Sequence, residues 1–238
     1  MSVKLPEQGS IVVLSGAGLS APSGIPTFRD ADGLWASYRI EEVATPEGWY
    51  ADRRLVRTFY DERRRDLARA RPNPGHVALA RLQQALGATR VVLVTQNIDG
   101  LLQAAGALEV IEMHGSLRLL RCERDQGHPH HEIGSDQEEH WLCPRCSAPL
   151  RPAVVWFGEV PLHMERIDQA LGKCSLFLAV GTSGAVYPAA GFSLRARRAG
   201  AHCVEINPRP SGGPFHQEIA EGAEVALPRL VDGWLGHP

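Results

Sequence analysis

The segment Ile11-Val-Val-Leu-Ser-Gly-Ala-Gly-Leu-Ser-Ala21 decides the fold class of this chain. A short apolar run, typical of a buried strand, passes directly into a glycine-rich turn of the form G-x-G-x-x-A. In such a turn the glycines let the backbone approach a phosphate group, and the N–H groups at the start of the next helix can bind it. The motif alone is weak evidence, because a tight turn that only packs a helix on a strand has the same form.

Further apolar runs also end in small polar residues. They are Val91–Val94 before Thr95-Gln-Asn-Ile-Asp-Gly100, Val110–Met113 before His114-Gly115, Leu176–Val180 before Gly181-Thr-Ser183, and Cys203–Ile206 before Asn207-Pro208. Helical patterns such as Pro74–Leu86 and Ala190–Ala199 separate several of them, which predicts an α/β fold with a Rossmann-like, doubly wound parallel sheet. Because such sheets bind ligands outside the carboxyl ends of their strands, the polar turns are predicted to line one site.

Two stretches interrupt this alternation. Residues 31–72 are rich in aromatic residues and arginine and are predicted to be helical from about Pro46 to Arg71, whereas residues 119–150 are polar and rich in Cys and His. The second composition is typical of a small lobe held by a metal ion. We predict a Rossmann-like domain from residues 1–30, 73–118 and 151–238, and a small domain from a helical module at 31–72 and a zinc-ribbon-like module at 119–150.

The composition restricts the class of protein. The 238 residues carry 25 Lys+Arg against 27 Asp+Glu, and 44% of them are hydrophobic. This balance indicates a globular chain without a field for nucleic acid or an anionic membrane, so we expect neither as a partner. The first apolar run is too short for a signal peptide or a membrane span, so we expect a cytoplasmic protein with reduced cysteines. Cys174 and Cys203 are predicted to be buried. We also expect the protein to be a monomer.

The polar residues at the strand ends carry candidate chemistry. Gln96, Asn97 and Asp99 offer amide and carboxylate groups that suit a carboxamide or sugar hydroxyls, and His114 can act as a general base near neutral pH. An ordinary dinucleotide unit would add an acidic strand end about 20 residues after the turn. Here the chain instead continues through Phe28-Arg29-Asp30, so hydride transfer is disfavoured.

Taken in order along the chain, these motifs resemble the sirtuins, which are NAD-dependent protein lysine deacylases. The matching segments are Gly16-Ala-Gly-Leu-Ser20, Gly24-Ile-Pro-Thr-Phe-Arg29, Thr95-Gln-Asn-Ile-Asp99, Met113-His-Gly115, Val155-Trp-Phe-Gly-Glu159, Gly181-Thr-Ser183 and Asn207. The resemblance implies that an acyl oxygen attacks C1 of the nicotinamide ribose, that nicotinamide leaves, and that His114 deprotonates a ribose hydroxyl. Free lysine, nicotinamide and O-acyl-ADP-ribose are the implied products.

The resemblance also implies roles for individual residues. His114, Asn97 and Asp99 would be catalytic, and Val155, Trp156, Phe157, Gly158 and Glu159 would pair with an acyl-lysine protein or peptide as an added strand. The implied NAD-binding residues are Gly16, Ala17, Gly18, Ser20, Thr27, Phe28, Arg29, Trp35, Gln96, Asn97, Ile98, Asp99, Gly181, Thr182, Ser183, Asn207, Pro208, Arg209 and Ala223.

Tyr60 and Arg63 resemble the Tyr-x-x-Arg pair of the class III sirtuins, the bacterial enzymes and the mitochondrial desuccinylase. On a helix, positions i and i+3 share one face. A guanidinium can grip a carboxylate through two hydrogen bonds while a phenol adds a third, so the pair is expected to bind the acyl carboxylate of succinyl-lysine. A solvated charged face is the other interpretation of this arginine-rich stretch. Both deacetylation and desuccinylation are expected.

Structural zinc in this family usually takes two C-x-x-C pairs. Here Cys143-Pro-Arg-Cys146 is intact, but Cys122 has no partner cysteine nearby. Three thiolates need a fourth ligand, for which the candidates are Asp125, His128, His130, His131 and His140. A solvated histidine-rich loop without metal is the alternative.

Two other functions share the cofactor. One is a mono-ADP-ribosyltransferase, and the other is a non-catalytic sensor that binds NAD or ADP-ribose. A sensor would not need His114 together with Asn97 and Asp99.

Overall fold

The computed structural model describes residues 3–26, 34–35, 38–134 and 141–236, and for Leu34 and Trp35 it describes the backbone. The predicted site residues Thr27, Phe28 and Arg29, the side chain of Trp35 and the candidate metal ligand His140 lie outside the described residues.

The five predicted strand runs are strands β1, β4, β5, β9 and β10 of the structure, and further strands and helices lie between them. The strands are β1 (Ser10–Ser15), β2 (Leu34–Trp35), β3 (Tyr38–Arg39), β4 (Val91–Thr95), β5 (Val110–Glu112), β6 (Gly115–Cys122), β7 (His131–Glu132), β8 (Leu150–Val154), β9 (Cys174–Val180), β10 (His202–Ile206) and β11 (Gln217–Ile219). The α-helices are α1 (Ala17–Ser20), α2 (Ile40–Val43), α3 (Pro46–Ala51), α4 (Arg53–Arg69), α5 (Pro74–Leu86), α6 (Leu101–Ala104), α7 (Met164–Leu171), α8 (Phe192–Arg198) and α9 (Ala223–Leu235).

A six-stranded sheet in the order β11-β10-β9-β1-β4-β5 forms the larger part of the molecule, and every neighbouring pair is parallel. β1 lies between β4 and β9, with Ser15 paired to Thr95 on one side and to Val180 on the other. The predicted Rossmann-like, doubly wound parallel sheet is confirmed. Its strands are nearly continuous apolar runs because both faces of the sheet are covered.

Helices cover the two faces of this sheet. Val13 belongs to a core cluster that includes α5 and α9, whereas Val12, one residue earlier, belongs to a cluster that includes α7 and α8. Consecutive side chains of a strand point to opposite faces, so a run without polar residues fits burial on both sides. Cys174 and Cys203 are buried, reduced members of the second cluster, as predicted.

The smaller part of the molecule combines helices α2–α4 with the antiparallel sheet β7-β6-β8. The predicted helical stretch is confirmed, with a break at Asp52, whose side chain accepts a hydrogen bond from the N–H of Leu55 and caps α4. The predicted domain limits at 118/119 and 150/151 fall inside β6 and β8. These two strands therefore connect the two parts, and the domain division stays a prediction.

Among the described residues, no helix combines the length and the apolar character needed to cross a membrane.

Candidate active site

The glycine-rich turn after β1 packs directly on the turn after β9. The Gly18 N–H donates to the Gly181 carbonyl at 2.8 Å, and a Cβ on Gly18 would lie 2.7 Å from the Gly181 Cα. Gly181 has a φ of +57°, and a Cβ there would lie 2.5 Å from the Leu19 nitrogen. Both positions need glycine because one backbone passes against another. This contact brings two predicted cofactor-binding segments, 16–20 and 181–183, side by side.

Side-chain amides tie the strand ends together at the same edge of the sheet. Gln96 donates to the Thr182 hydroxyl at 3.0 Å, Asn97 donates to the Gly16 carbonyl at 3.0 Å, and Asn207 donates to the Thr182 carbonyl at 2.9 Å. All four of the residues Gln96, Asn97, Thr182 and Asn207 are half-buried. They are therefore held by the protein and still accessible to a ligand at the carboxyl ends of β1, β4, β9 and β10.

The other predicted cofactor residues differ in exposure. Pro208, Arg209 and Ser183 are exposed beyond β10 and β9, whereas Ala17 is half-buried in the first turn. Ala223 begins α9 and is buried in the core cluster on the α5 side of the sheet. Ile98 is partly buried and packs against the cluster of the helical module.

A buried polar network lies beneath this edge. The Ser20 hydroxyl donates to the Asp99 carboxylate at 2.6 Å and accepts from the Asn97 amide at 3.0 Å. The second Asp99 oxygen accepts from the Leu101 N–H at 2.9 Å. Because its members bond to one another, Asn97 and Asp99 are held in fixed orientations relative to the turn.

His76 also belongs to this network, although it is not among the site residues predicted from the sequence. Its Nδ1 accepts the Asn73 N–H at 3.2 Å, so its Nε2 carries the hydrogen and donates to the Ser20 hydroxyl at 3.3 Å. Burial lowers the pKa of His76 to about 4, which keeps the ring neutral. The signal was present in Asn73-Pro-Gly-His76, because an N-cap residue followed three positions later by a side chain that bonds back is a helix-start pattern.

His114 lies between β5 and β6, directly before Gly115, and is half-buried. Its Nδ1 lies 3.0 Å from the Gln96 carbonyl oxygen, to which it can only donate, so Nε2 carries the lone pair of the neutral ring. Burial lowers the pKa of His114, although the bond to Gln96 opposes this shift. The imidazole is thus held in its basic form with a defined acceptor atom.

The segment Val155–Glu159 lies between the large sheet and the helical module. The Val155 N–H donates to the His114 carbonyl at 2.9 Å, and the Phe157 N–H donates to the Ala44 carbonyl at 3.0 Å. Phe157 and Gly158 are exposed, whereas Trp156 is buried. The segment predicted to bind substrate therefore starts at the candidate base.

Tyr60 and Arg63 lie on α4, where they differ in environment. Tyr60 is fully buried, and its oxygen accepts the Trp156 indole N–H at 2.9 Å. Arg63 stacks on the Phe59 ring at 5.2 Å and reaches Asp66 at 3.1 Å. Its Nε and Nη1 are buried and have no hydrogen-bond partner among the described residues. Arg63 is therefore paired with a carboxylate of its own helix and keeps two guanidinium donors without a partner among the described residues.

Four side chains at the end of the β6–β8 sheet form a compact donor cluster. They are Cys122, His128, Cys143 and Cys146, whose sulfur and nitrogen atoms all lie within 4.8 Å of one another. The Cys122 and Cys146 sulfurs are 3.5 Å apart, and His128 Nδ1 is 3.3 Å from the Cys143 sulfur. Tetrahedral zinc with Zn–S bonds of about 2.3 Å needs ligand separations of roughly 3.5–3.8 Å. The cluster therefore fits a closed structural zinc site.

Among the histidines in the described part of this loop, His128 is the one that belongs to the donor cluster. Its Nε2 lies 3.3 Å from an Asp125 carboxylate oxygen, which holds the ring with Nδ1 toward the thiols. A carboxylate behind a ligand histidine is the usual arrangement at zinc. Of the predicted alternatives, Asp125 lies behind His128, and His130 and His131 are outside the cluster.

The parallel sheet, the glycine turn and the polar strand ends define a nucleotide-binding α/β protein with a candidate base beside the strand-end residue Gln96. The Sir2 family profile matches residues 16–188, and the chain belongs to this family, as the resemblance to the sirtuins implied.

Similar proteins agree with this assignment. An NAD-dependent protein deacylase of Escherichia coli K12 is 49% identical over 233 residues, which cover 96% of this chain and 83% of that protein. A solved complex of a Sir2 homologue with NAD has 34% identity and a TM-score of 0.86 over 96% of this chain and 91% of its own. A Sir2 structure with an inhibitor, 2'-O-acetyl-ADP-ribose and a deacetylated peptide has 28% identity and a TM-score of 0.78, covering 94% and 93%.

The buried neutral state of His76 makes the stability of the fold depend on pH. Unfolding returns the pKa from about 4 to the ordinary 6.5, so between these values the unfolded chain binds the proton and the folded chain does not. Stability from this group is complete above pH 6.5 and falls as the pH falls toward 4. Between pH 7.5 and 5, the wild type should lose about 2 kcal/mol more free energy of unfolding than His76→Gln.

Urea denaturation at the two pH values measures this difference, and the titrating groups that do not interact with His76 cancel between the two proteins. Parallel pH dependence of the two would contradict the neutral, buried assignment of His76.

Proposed function

We propose that this chain is an NAD-dependent protein-lysine deacylase that removes acetyl and succinyl groups and yields nicotinamide and O-acyl-ADP-ribose. The observation that carries the proposal is the tautomer of His114, whose bond to the Gln96 carbonyl leaves Nε2 as a proton acceptor at the ligand-binding edge of the sheet. The names of the relatives, NAD-dependent protein deacylases, support the same activity.

NAD supplies an electrophilic ribose carbon once nicotinamide leaves. The residues of the chain that would hold it are the half-buried donors at the strand ends together with the glycine turn. These groups fit a dinucleotide because they are fixed by the fold and converge on one edge. Asn97 and Asp99 would orient groups of the ribose and the carboxamide, since Ser20 holds both side chains in place.

His114 would remove a proton from a ribose hydroxyl through Nε2. Its lowered pKa keeps the ring neutral at pH 7, and its partly buried position restricts competing water. The adjacent Val155–Glu159 backbone would pair with the peptide, which brings the acyl-lysine to the same face.

Acyl selection would depend on α4. Arg63 offers Nε and Nη1 to a carboxylate, and Tyr60 lies one turn earlier on the same helix. An acetyl group lacks the carboxylate, so it would bind without these contacts. Acyl-lysine proteins or peptides are the proposed partners, and the monomeric state and the cytoplasmic location stay predictions.

Zinc would be held by Cys122, His128, Cys143 and Cys146 and would have a structural role. The cluster lies at the end of the β6–β8 sheet, whose core residues include Leu120, Ile133 and Leu150. So small a core depends on metal binding for its folding.

Mass spectrometry of matched acetyl-lysine and succinyl-lysine peptides tests the activity. The peptides are incubated with the protein, with and without NAD, and free lysine and O-acyl-ADP-ribose are scored together. NAD-dependent loss of both acyl groups is expected. Label transferred from NAD to protein without acyl loss would indicate an ADP-ribosyltransferase, and NAD binding without either reaction would indicate a sensor.

His114→Ala should abolish deacylation, with a loss of at least about 100-fold in kcat, because the proton acceptor is gone. NAD should still bind, since the strand-end donors remain. The measurement is kcat by peptide mass spectrometry beside NAD binding by calorimetry. His202→Ala, which removes an exposed imidazole on β10, is the control. Wild-type turnover of His114→Ala would remove this mechanism.

Arg63→Met should lower kcat/KM for the succinyl peptide, with a loss of transition-state stabilisation of about 1.5–3 kcal/mol, because a charged hydrogen bond to the carboxylate is lost. Deacetylation should change far less. Arg65→Met is the matched control, since Arg65 is exposed on the same helix. Steady-state kinetics on both peptides give the ratio. Equal losses on both peptides refute the pocket.

His128→Ala should weaken zinc binding more than tenfold, whereas His128→Cys should retain it by restoring a fourth sulfur. Zinc release to a chromophoric chelator measures affinity, and the absorption bands of the cobalt-substituted protein report the number of thiolates. His130→Ala is the control, since His130 is exposed in the same loop. Unchanged zinc affinity in His128→Ala would exclude this ligand.

A further inference from the structure

The Trp156 side chain contacts both the Tyr60 hydroxyl and the Arg151 guanidinium. Its indole N–H donates to the Tyr60 oxygen at 2.9 Å, and the Arg151 guanidinium carbon lies 3.3 Å from the centroid of its ring. Trp156 and Tyr60 are 2% and 0% exposed. Both contacts are therefore shielded from water. Cation–aromatic contacts and hydrogen bonds are stronger in such a desolvated environment.

Arg151 is itself held in one orientation. Its two terminal nitrogens donate to the two oxygens of Glu159 at 2.8 and 2.9 Å, and one of them also donates to the Val154 carbonyl at 2.9 Å. Glu159 accepts the Trp156 backbone N–H at 2.8 Å as well. One bidentate ion pair thus fixes both the backbone and the ring face of Trp156.

This arrangement sets the direction of the Tyr60 hydroxyl. The oxygen accepts a hydrogen from the indole, so the hydroxyl hydrogen must point away from Trp156. Trp49 also packs against Trp156, with ring centroids 5.9 Å apart, which restricts the motion of the indole. Burial also raises the pKa of Tyr60, so the phenol stays a hydrogen-bond donor.

We infer that Trp156 is a positioning residue for acyl selectivity, which acts through Tyr60 to direct the phenol toward the carboxylate of a dicarboxylic acyl chain. The inference rests on the proposed function, because it concerns the same acyl pocket. The backbone of Trp156 belongs to the segment proposed to pair with the peptide, and its side chain bonds to the phenol on α4. One residue therefore couples peptide binding to the recognition of the acyl group.

The test compares kcat/KM for succinyl-lysine and acetyl-lysine peptides in Trp156→Phe and in a protein with benzothienylalanine at position 156. The analogue keeps the shape of the indole and replaces N–H by sulfur, so it decides the matter if Trp156→Phe fails to fold. The ratio of succinyl to acetyl activity should fall roughly three- to tenfold, mainly through KM for the succinyl peptide. In a Tyr60→Phe background the same replacement should leave the ratio unchanged.

Arg121→Gln is the matched control, because Arg121 donates to Glu159 at 2.9 Å but makes no ring contact with Trp156 among the described residues. It should keep the wild-type ratio, whereas Arg151→Gln should lower it. An unchanged ratio in the analogue protein overturns the inference while deacylation stands, and so does an equal fall with and without Tyr60. A wild type that deacetylates but never desuccinylates overturns the acyl pocket and this inference together, and a wild type without any deacylation overturns the proposed function.

Discussion

The structure depends on the direct contact between the turn after β1 and the turn after β9. Gly18 and Gly181 meet backbone to backbone, which only residues without a Cβ permit. Their contact closes the central strand pair at its carboxyl end and brings the predicted cofactor segments together. The amides of Gln96, Asn97 and Asn207 then donate hydrogen bonds across these turns, so the edge proposed to bind the ligand is held by side-chain contacts as well as by the backbone.

Helix α4, which carries the proposed acyl-binding residues, is held by contacts from the lobe that contains the cysteine cluster. Glu123, which follows β6, accepts hydrogen bonds from the Trp49 indole at 2.8 Å and from Arg53 at 3.1 Å. The Arg57 guanidinium carbon lies 4.7 Å from the centroid of the Trp141 ring. Trp141 lies two residues before Cys143, the first cysteine of the C-x-x-C pair. These cation–aromatic and ionic contacts make the metal-held lobe a support for α4, so zinc would influence acyl binding without entering the chemistry.

His76, which is buried, and His114, which is half-buried, are both held neutral but play different roles. In His76 a backbone N–H occupies Nδ1, and the ring donates into the Ser20 network, so it serves as a fixed donor. In His114 a backbone carbonyl takes the Nδ1 hydrogen, which leaves Nε2 as an acceptor. Burial lowers the pKa of both rings, and the neighbouring backbone group determines which nitrogen is basic.

The sequence by itself determined the parallel α/β fold, the helices of the inserted module and the strand-end positions of Gln96, Asn97 and His114. These features follow from local pattern, since apolar runs, helix-start residues and polar turns act over a few neighbours. Only the tertiary structure decided that His128 joins the three cysteines, that His76 enters the Ser20 network, and that Trp156 bonds to Tyr60. Each of these contacts joins distant segments, and a one-dimensional pattern does not state which side chains meet when β6 and β8 pair or when α4 packs beneath the Val155–Glu159 segment.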